Sequence, residues 1–383
     1  MRLKMPRETV SVLGATGYTG RLIVRELTRR QLPVLAAGRN RDKLARLAAE
    51  VGDLGITVAS TEDPASLQRL AQRSRVIINT AGPFVDYGEP VVRAAIADGA
   101  HYLDTTGEQP FMKAMLAHDE WARQQHVAVV SAQAFEIAVA DCAAAIAAEG
   151  FVEVGMVQVT YVTRFHPSQG TQRTVLRMLQ SPGYAYVRGG WVEEPPARLL
   201  RFVDFPPPLG RVAAVSFPSA EVVTIPRHLK VREVRTFMSL PPIAARLLSA
   251  TAPCLRLLTR TPLTRLVAAA IGSGTGGPDE ATRQRDEFTV AVDVRGVRGG
   301  RASHRRVLVH GRDPYGLTAT IAEYGAEQMC REEYDAAGVL PPAAAFAPRP
   351  LLGHLKAFGL TYEISDGLRR SSARAGPKLT AHV

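Results

Sequence analysis

Gly14, Gly17 and Gly20, spaced three apart, follow directly on an apolar β-branched run (residues 9–13) and open a helical pattern over 18–30. That order, strand then glycine loop then helix, is the first half of a βαβ unit and severely limits the fold. Gly14 permits the tight turn, Gly17 lets backbone approach a pyrophosphate, and Gly20 allows close packing of helix on strand. The unpaired N–H groups at the helix start face an anion. The loop, with Thr16, Tyr18 and Thr19 between its glycines, is therefore expected to hold a dinucleotide. No GxxxxGK[ST] run occurs, which argues against an NTPase.

The unit then repeats. Strand patterns at 34–37, 56–59, 76–79, 101–103 and 127–131 alternate with helical patterns at 41–50, 64–73, 89–98 and 110–125. Such alternation makes an α/β fold with a doubly wound parallel sheet, so residues 1–148 are assigned to a Rossmann domain. From 149 the texture changes to longer strands (152–163, 288–294, 305–310), fewer helices (170–180, one or two within 242–271) and breakers at 206–208 and 273–277. This predicts an inserted α+β domain over 149–340 with a largely antiparallel or mixed sheet. A helix pattern through Leu351, Leu352, Leu355 and Phe358, then a short strand at 360–364, is expected to return to the first domain as a 341–365 unit. Residues 366–383 are expected to form a basic, disordered tail.

A chain of 383 residues with 46% hydrophobic and 22% charged residues is globular, with one or two domains. Three scattered cysteines, Cys142, Cys254 and Cys330, exclude a disulfide scaffold and any CxxC motif. With no apolar leader in the first residues, the expected compartment is the cytoplasm. The net charge of +11 is mostly arginine, spread along the chain, and only 6% of residues are aromatic, so nucleic acid is not an expected partner. The surplus suits a nucleotide, an acyl carrier or an anionic membrane surface, or is simply an arginine-rich surface. Segment 240–271 is the membrane candidate. Arg246, Arg256, Arg260 and Arg265 interrupt it, so it lacks the ~20 apolar residues of a spanning helix. It could lie on a membrane or a partner, though helices covering a core are the simpler reading. A homodimer is left open.

The end of the second strand reads Ala37-Gly38-Arg39-Asn40, where an NAD site usually carries an acid. Gly38 leaves room, Arg39 offers a planar fork to a 2′-phosphate, and Arg41 and Lys43 follow, so NADP(H) is favoured over NAD(H). Thr80, Ala81, Gly82 and Pro83 follow the fourth strand at the ligand-binding edge and should run past the nicotinamide half. No tyrosine has lysine four residues on, so the proton donor must be sought elsewhere. Tyr87 just past the fourth strand, Glu136 after the sixth, and His166 beside Arg164 at a strand end are the catalytic candidates. Asp104, Glu108 and Asp141 read equally well as caps and braces. The nine histidines lack HxxxH or HxH spacing, so no metal site is proposed, and no GxSxG elbow occurs.

Four stretches taken together, GATGYTG (14–20), AGRN (37–40), NTAGPFVDYGE (79–89) and HYLDTTGE (101–108), resemble the saccharopine dehydrogenase-like reductase family. Within it they are most similar to the branch of the trans-acting enoyl reductases and saccharopine dehydrogenase-like oxidoreductases, and the likeness runs from about 9 to 363. The resemblance implies a Rossmann domain, a second domain inserted before a C-terminal helix, and NADP(H). It also implies reduction of an enoyl C=C on a carrier-bound or lipid-like substrate, with an imine C=N as the other candidate. One stretch departs from the branch. Where relatives carry Gly-Phe-Asp-Ser-x-Pro-Ser-Asp, residues 134–141 read Ala-Phe-Glu-Ile-Ala-Val-Ala-Asp. The lost serines and proline keep alive a non-catalytic NADP(H)-binding sensor or membrane-associated scaffold.

Overall fold

A computed structural model describes residues 9–367 apart from 53, 165, 181–182 and 259–275. The lead, the basic tail from 368 and the latter part of the 240–271 segment lie outside the described residues. Six short strands follow the expected order: β1 (Val10–Leu13), β2 (Val34–Gly38), β3 (Gly55–Val58), β4 (Val76–Asn79), β5 (His101–Asp104) and β6 (Ala128–Val130). All pair in parallel in one sheet. β1, β2, β4, β5 and β6 are buried along their whole length, as strands covered on both faces must be. The helices between them are α1 (Tyr18–Arg29), α2 (Arg41–Val51), α3 (Pro64–Arg73), α4 (Phe84–Asp98), α5 (Gln109–Met115), α6 (Asp119–Gln124) and, after β6, α7 (Ile137–Ala148). The helix expected over 110–125 is broken by a 3-10 turn at Leu116–His118. α1 buries Gly20, Ile23, Val24 and Leu27, one apolar stripe at helical spacing.

The second sheet contains β7 (Phe151–Arg164), β8 (Gly183–Val187), β9 (Gly190–Glu194), β10 (Leu200–Asp204), β11 (Arg211–Ser216), β12 (Val231–Leu240), β13 (Glu287–Arg298) and β14 (Arg301–Arg312). It is mixed, with β12 parallel to β7 and the other pairings antiparallel. The sequence pattern pointed to three of these strands. β8 to β11 escaped because they are only five or six residues long with no clean alternation, and β12 because Arg232, Glu233 and Arg235 interrupt its apolar pattern. The helix Pro242–Leu258 packs Ala245 and Ala252 inward and leaves Ile243 and Leu247 exposed. Among the described residues no helix is long and apolar enough to cross a membrane.

Two later segments correct the expected boundaries. The helix Pro314–Cys330, which the sequence pattern did not reveal, lies against α1 and contacts β4 and β5. After it, β15 (Gly338–Leu340) pairs in parallel with β6, so the first sheet has seven strands in the order β15-β6-β5-β4-β1-β2-β3. The first domain therefore resumes well before 341. Conversely β16 (Thr361–Asp366) pairs antiparallel with β14 and belongs to the second sheet, not the first. The helix Pro348–Leu355 does return, onto α7 and Pro314–Cys330, and the helical turn Pro342–Ala345 packs on α7 and β6. A strand's period of two shows that it pairs, never with which sheet.

Candidate functional site

The glycine loop is built as its spacing demands. Gly14 takes φ +84°, and a Cβ there would sit 2.7 Å from Thr80 Oγ1. Gly20 has no such room either, since a Cβ would fall 2.3 Å from the Gly14 carbonyl oxygen. The Gly17 N–H donates to that same oxygen at 2.8 Å, and the loop's start is held by Gly14 and Ala15 N–H groups donating to the Ala37 carbonyl. α1 begins after Gly17 with no side-chain cap and no acid in its first turn, so its first N–H groups and positive dipole end are left for an anion. At the end of β2 a Cβ on Gly38 would meet only Leu44 at 3.8 Å and Thr16 Oγ1 at 3.9 Å. The backbone does not need glycine there, and the open space beside Thr16 is what a ribose requires. Arg39 is exposed and forms no ion pair with a described residue. Asn40 caps α2, its Oδ1 accepting from the Lys43 N–H at 2.9 Å. This cradle fits a dinucleotide with an extra phosphate near Arg39.

Tyr18 is bound otherwise than the pattern suggests. Its hydroxyl donates to the Pro278 carbonyl at 2.7 Å, and its ring meets Tyr315 edge-on at 4.9 Å. A Cβ on Gly277 would strike the Tyr18 ring at 2.6 Å, so this glycine lets the second domain close onto the loop. Burial pushes the Tyr18 phenol up to about 12, and it stays a donor. Thr19 follows it in the first turn of α1, half-buried.

The loop after β4 is fastened on both sides. Thr80 donates to the Leu13 carbonyl from its N–H (2.8 Å) and its hydroxyl (2.9 Å), and the Ala81 N–H donates to Asn79 Oδ1 at 3.0 Å. The Gly82–Pro83 peptide is cis. Glu108, buried, receives the N–H groups of Phe84 (3.0 Å) and Val85 (2.8 Å), capping α4 from a different strand's loop. Asp104 is equally committed. It accepts from Ala132 N–H, Thr106 N–H and the Ser131 hydroxyl, and burial raises its carboxyl to about 6. Asp141 lies inside α7, not at its cap, and binds His228 Nε2 (2.9 Å) and the Ala343 N–H (2.8 Å).

Among the described residues no hydrogen bond or ion pair links the three catalytic candidates to one another. Tyr87 is exposed on α4, with no side-chain bond to a described residue. His166 is fixed to Asp286 through Nδ1 (2.8 Å) and its own N–H (3.0 Å), with its side chain 72% exposed. Ser168, two residues on, donates its N–H to the Tyr315 hydroxyl, so His166 stands near the Tyr18–Tyr315 ring pair. Glu136 heads α7 at the carboxyl edge of the sheet, its Oε1 beside Gly107 in the loop after β5. Burial raises its carboxyl to about 7, although part of the residue reaches solvent. Two neighbours were not legible in the sequence: Gln133, fully buried with both amide atoms unpartnered, and Glu221, fully buried behind Glu136. No spacing marks either residue. A groove of about 610 Å³ opens elsewhere, between α1 and the helix Pro348–Leu355, and contains none of these candidates.

A parallel sheet with a glycine loop at its carboxyl edge, an uncapped first helix and arginine in place of an acid after β2 defines a Rossmann domain for NADP(H). Residues 10–135 match the family described as saccharopine dehydrogenase NADP binding domain, so NADP(H) is the cofactor of this domain. The chain is 35% identical over 149 residues to the human saccharopine dehydrogenase-like oxidoreductase, covering 34% of this chain and 35% of that protein. It is 36% identical over 115 residues to a Mycobacterium tuberculosis protein named as a trans-acting enoyl reductase, covering 28% and 27%. The match thus spans about a third of each curated relative. A solved saccharopine dehydrogenase (L-Glu forming) from Saccharomyces cerevisiae superposes with a TM-score of 0.62 at 10% identity, covering 94% of this chain and 100% of that one. That likeness shows the shared two-sheet fold.

Proposed function

We propose that the chain is an NADPH-dependent reductase of a polarised double bond. The enoyl C=C of an acyl-carrier-bound or lipid-like substrate is the first candidate, and an imine C=N the second. The observation that carries this reading is Glu136, a carboxyl on the ligand-binding edge that burial holds protonated close to neutral pH. When bound, NADPH supplies a hydride. The chain's own groups do the rest. Gly14, Thr16, Gly17, Thr19 and the first turn of α1 hold the pyrophosphate, with Gly20 keeping the helix close. Gly38, Arg39 and Asn40 take the phosphorylated ribose, and residues 80–83 line the nicotinamide end. Glu136 keeps a proton for the atom on which negative charge gathers. His166 and Tyr87 stay as candidate donors for a substrate that reaches them.

The relative named as an enoyl reductase supports the C=C case. A non-catalytic NADP(H)-binding sensor or scaffold is favoured by one feature. Ile137, Ala138, Val139 and Ala140 are all fully buried and apolar, so those positions offer a substrate nothing polar. Single-turnover oxidation of bound NADPH by a panel of enoyl thioesters and imines separates the two. Oxidation that slows at least ~100-fold in Glu136→Gln supports the reductase. Tight NADPH binding with no acceptor in the panel oxidising it supports the sensor. A peripheral membrane contact through 240–271 is supported by exposed Ile243 and Leu247 flanking Arg246, and predicts vesicle binding that weakens with salt. A homodimer is a further proposal, tested by sedimentation.

A further inference from the structure

Behind Glu136, β7 and the short helix Glu221–Thr224 bring together two buried groups that the reaction above does not use. Tyr161 on β7 is 1% exposed, with its hydroxyl 3.2 Å from the Glu136 carbonyl oxygen and in hydrogen-bond contact with Glu221 Oε1. Glu221 is fully buried and its Oε2 has no partner. Among the described residues no cation answers this carboxyl. Lys113 on α5 lies over the rings of Tyr184 and Trp191, Arg235 on β12 is bound to Glu194 and Glu233, and His228 is bound to Asp141. The charged groups that face Glu221 are themselves acids, Glu136 and Asp141.

A phenol has one proton to give. The Glu136 carbonyl oxygen and an ionised Glu221 Oε1 can both only accept, so they compete for that one proton. Both contacts are satisfied together only when Glu221 is protonated and donates to the Tyr161 oxygen while Tyr161 donates to the Glu136 carbonyl. Burial points the same way, because an ionised carboxylate without a cation and beside two acids is the costlier state.

We propose that Tyr161 and Glu221 are positioning residues for Glu136, with Glu221 donating its own proton to the Tyr161 hydroxyl, which donates in turn to the Glu136 carbonyl. This rests on Glu136 being the proton donor. Both residues come from the second sheet's domain, so the relay ties Glu136 to both domains at once. The Glu136 carbonyl also accepts the Ala140 N–H at 3.1 Å, so its two acceptor positions are filled and the head of α7 is held at one angle. A neutral Glu221 also matters electrically, since an anion there would bind the Glu136 proton more tightly.

Carbon-13 NMR of the full chain labelled at glutamate carboxyls tests this without turnover. The Glu221 line, assigned by its loss in Glu221→Gln, is expected to keep the protonated shift through pH 7. Glu221→Gln retains a donor, so the Glu136 midpoint should move by less than ~0.3 pH unit, whereas Tyr161→Phe should move it by more than ~0.5. A Glu221 line already ionised at pH 6 overturns the proposal. So does a Glu136 midpoint that falls by about a full unit in Glu221→Gln, which would reveal a native negative charge. If Tyr161→Phe does not fold, the wild-type Glu221 line decides alone. Should Glu136→Gln reduce substrate as well as the wild type while the Glu221 line stays protonated, the relay stands and the donor assignment of Glu136 falls.

Discussion

Glu136 and Arg39 are opposite uses of one principle, that a side chain's surroundings set what its charge can do. Burial lifts the Glu136 carboxyl from its ordinary 4.5 to about 7. As a proton donor it must be protonated, so kcat/KM should be full below that value and fall as pH rises through it. In Glu136→Gln this limb should vanish and kcat/KM should drop by about 10²–10⁴-fold, read from a pH–rate profile. A profile flat through pH 7 in the wild type would reject the assignment. Arg39 instead stays exposed and unpaired with any described residue, so its fork is available for a phosphate. Arg39→Ala should weaken NADPH binding at least tenfold (about 1.4 kcal/mol) and leave NADH unchanged, measured by equilibrium titration. Equal weakening of both nucleotides would mean that Arg39 does not read the 2′-phosphate.

The elements around the site depend on neighbours from other parts of the chain. α4 starts after Pro83, which has no capping side chain, and its first N–H groups are satisfied by Glu108 from the loop after β5. Glu108→Ala leaves those buried N–H groups bare and should cost about 1–3 kcal/mol in urea unfolding. It should also loosen the 80–83 loop next to the cap. α1 is constrained from within, since a methyl group on Gly20 would collide with backbone, not with a side chain that can swing away. Gly20→Ala should therefore lift the helix off its loop, costing about 1–3 kcal/mol and most of the nucleotide affinity. Retained affinity in that variant would show that the loop can shift without losing its grip.

Across the whole molecule, several hydrogen bonds join the two domains, among them those of the Gln109 side chain to Tyr184 and Ser219. Tyr18 reaches Pro278 over the phosphate loop, Asp141 binds His228, and Tyr161 binds the Glu136 carbonyl. The first domain is closed by late segments, the helix Pro314–Cys330 against α1 and the helix Pro348–Leu355 beside it. Glu323 lies fully buried in this seam, with Arg30 at 3.9 Å and His354 at 3.8 Å, both too distant for hydrogen bonds. Burial raises its carboxyl from 4.5 to about 7. The folded state therefore holds a proton that the unfolded chain gives up, and stability falls as pH rises across that window. Glu323→Gln, with no proton to lose, should gain stability over the wild type at pH 8 and not at pH 4.5, by thermal melts. An equal change at both values would mean that Glu323 is ionised in the fold.

The repeat of strand and helix, the glycine loop and the Gly38–Arg39 pair are local, each written in a few consecutive residues. Periodicity and the steric demands of a turn act over the same few residues, so the parallel sheet, its loop and the choice of NADP(H) were determined by the sequence alone. Only the tertiary structure decided which acid is buried with a proton and which serves as a brace. It made Glu108 a cap, fastened Asp141 to His228, and set Glu136 against Tyr161 and Glu221. It also decided that β15 joins the first sheet and β16 the second. The physical reason is common to all of these. A carboxyl's ionisation and a strand's partner depend on atoms that are distant along the chain and adjacent only once it has folded.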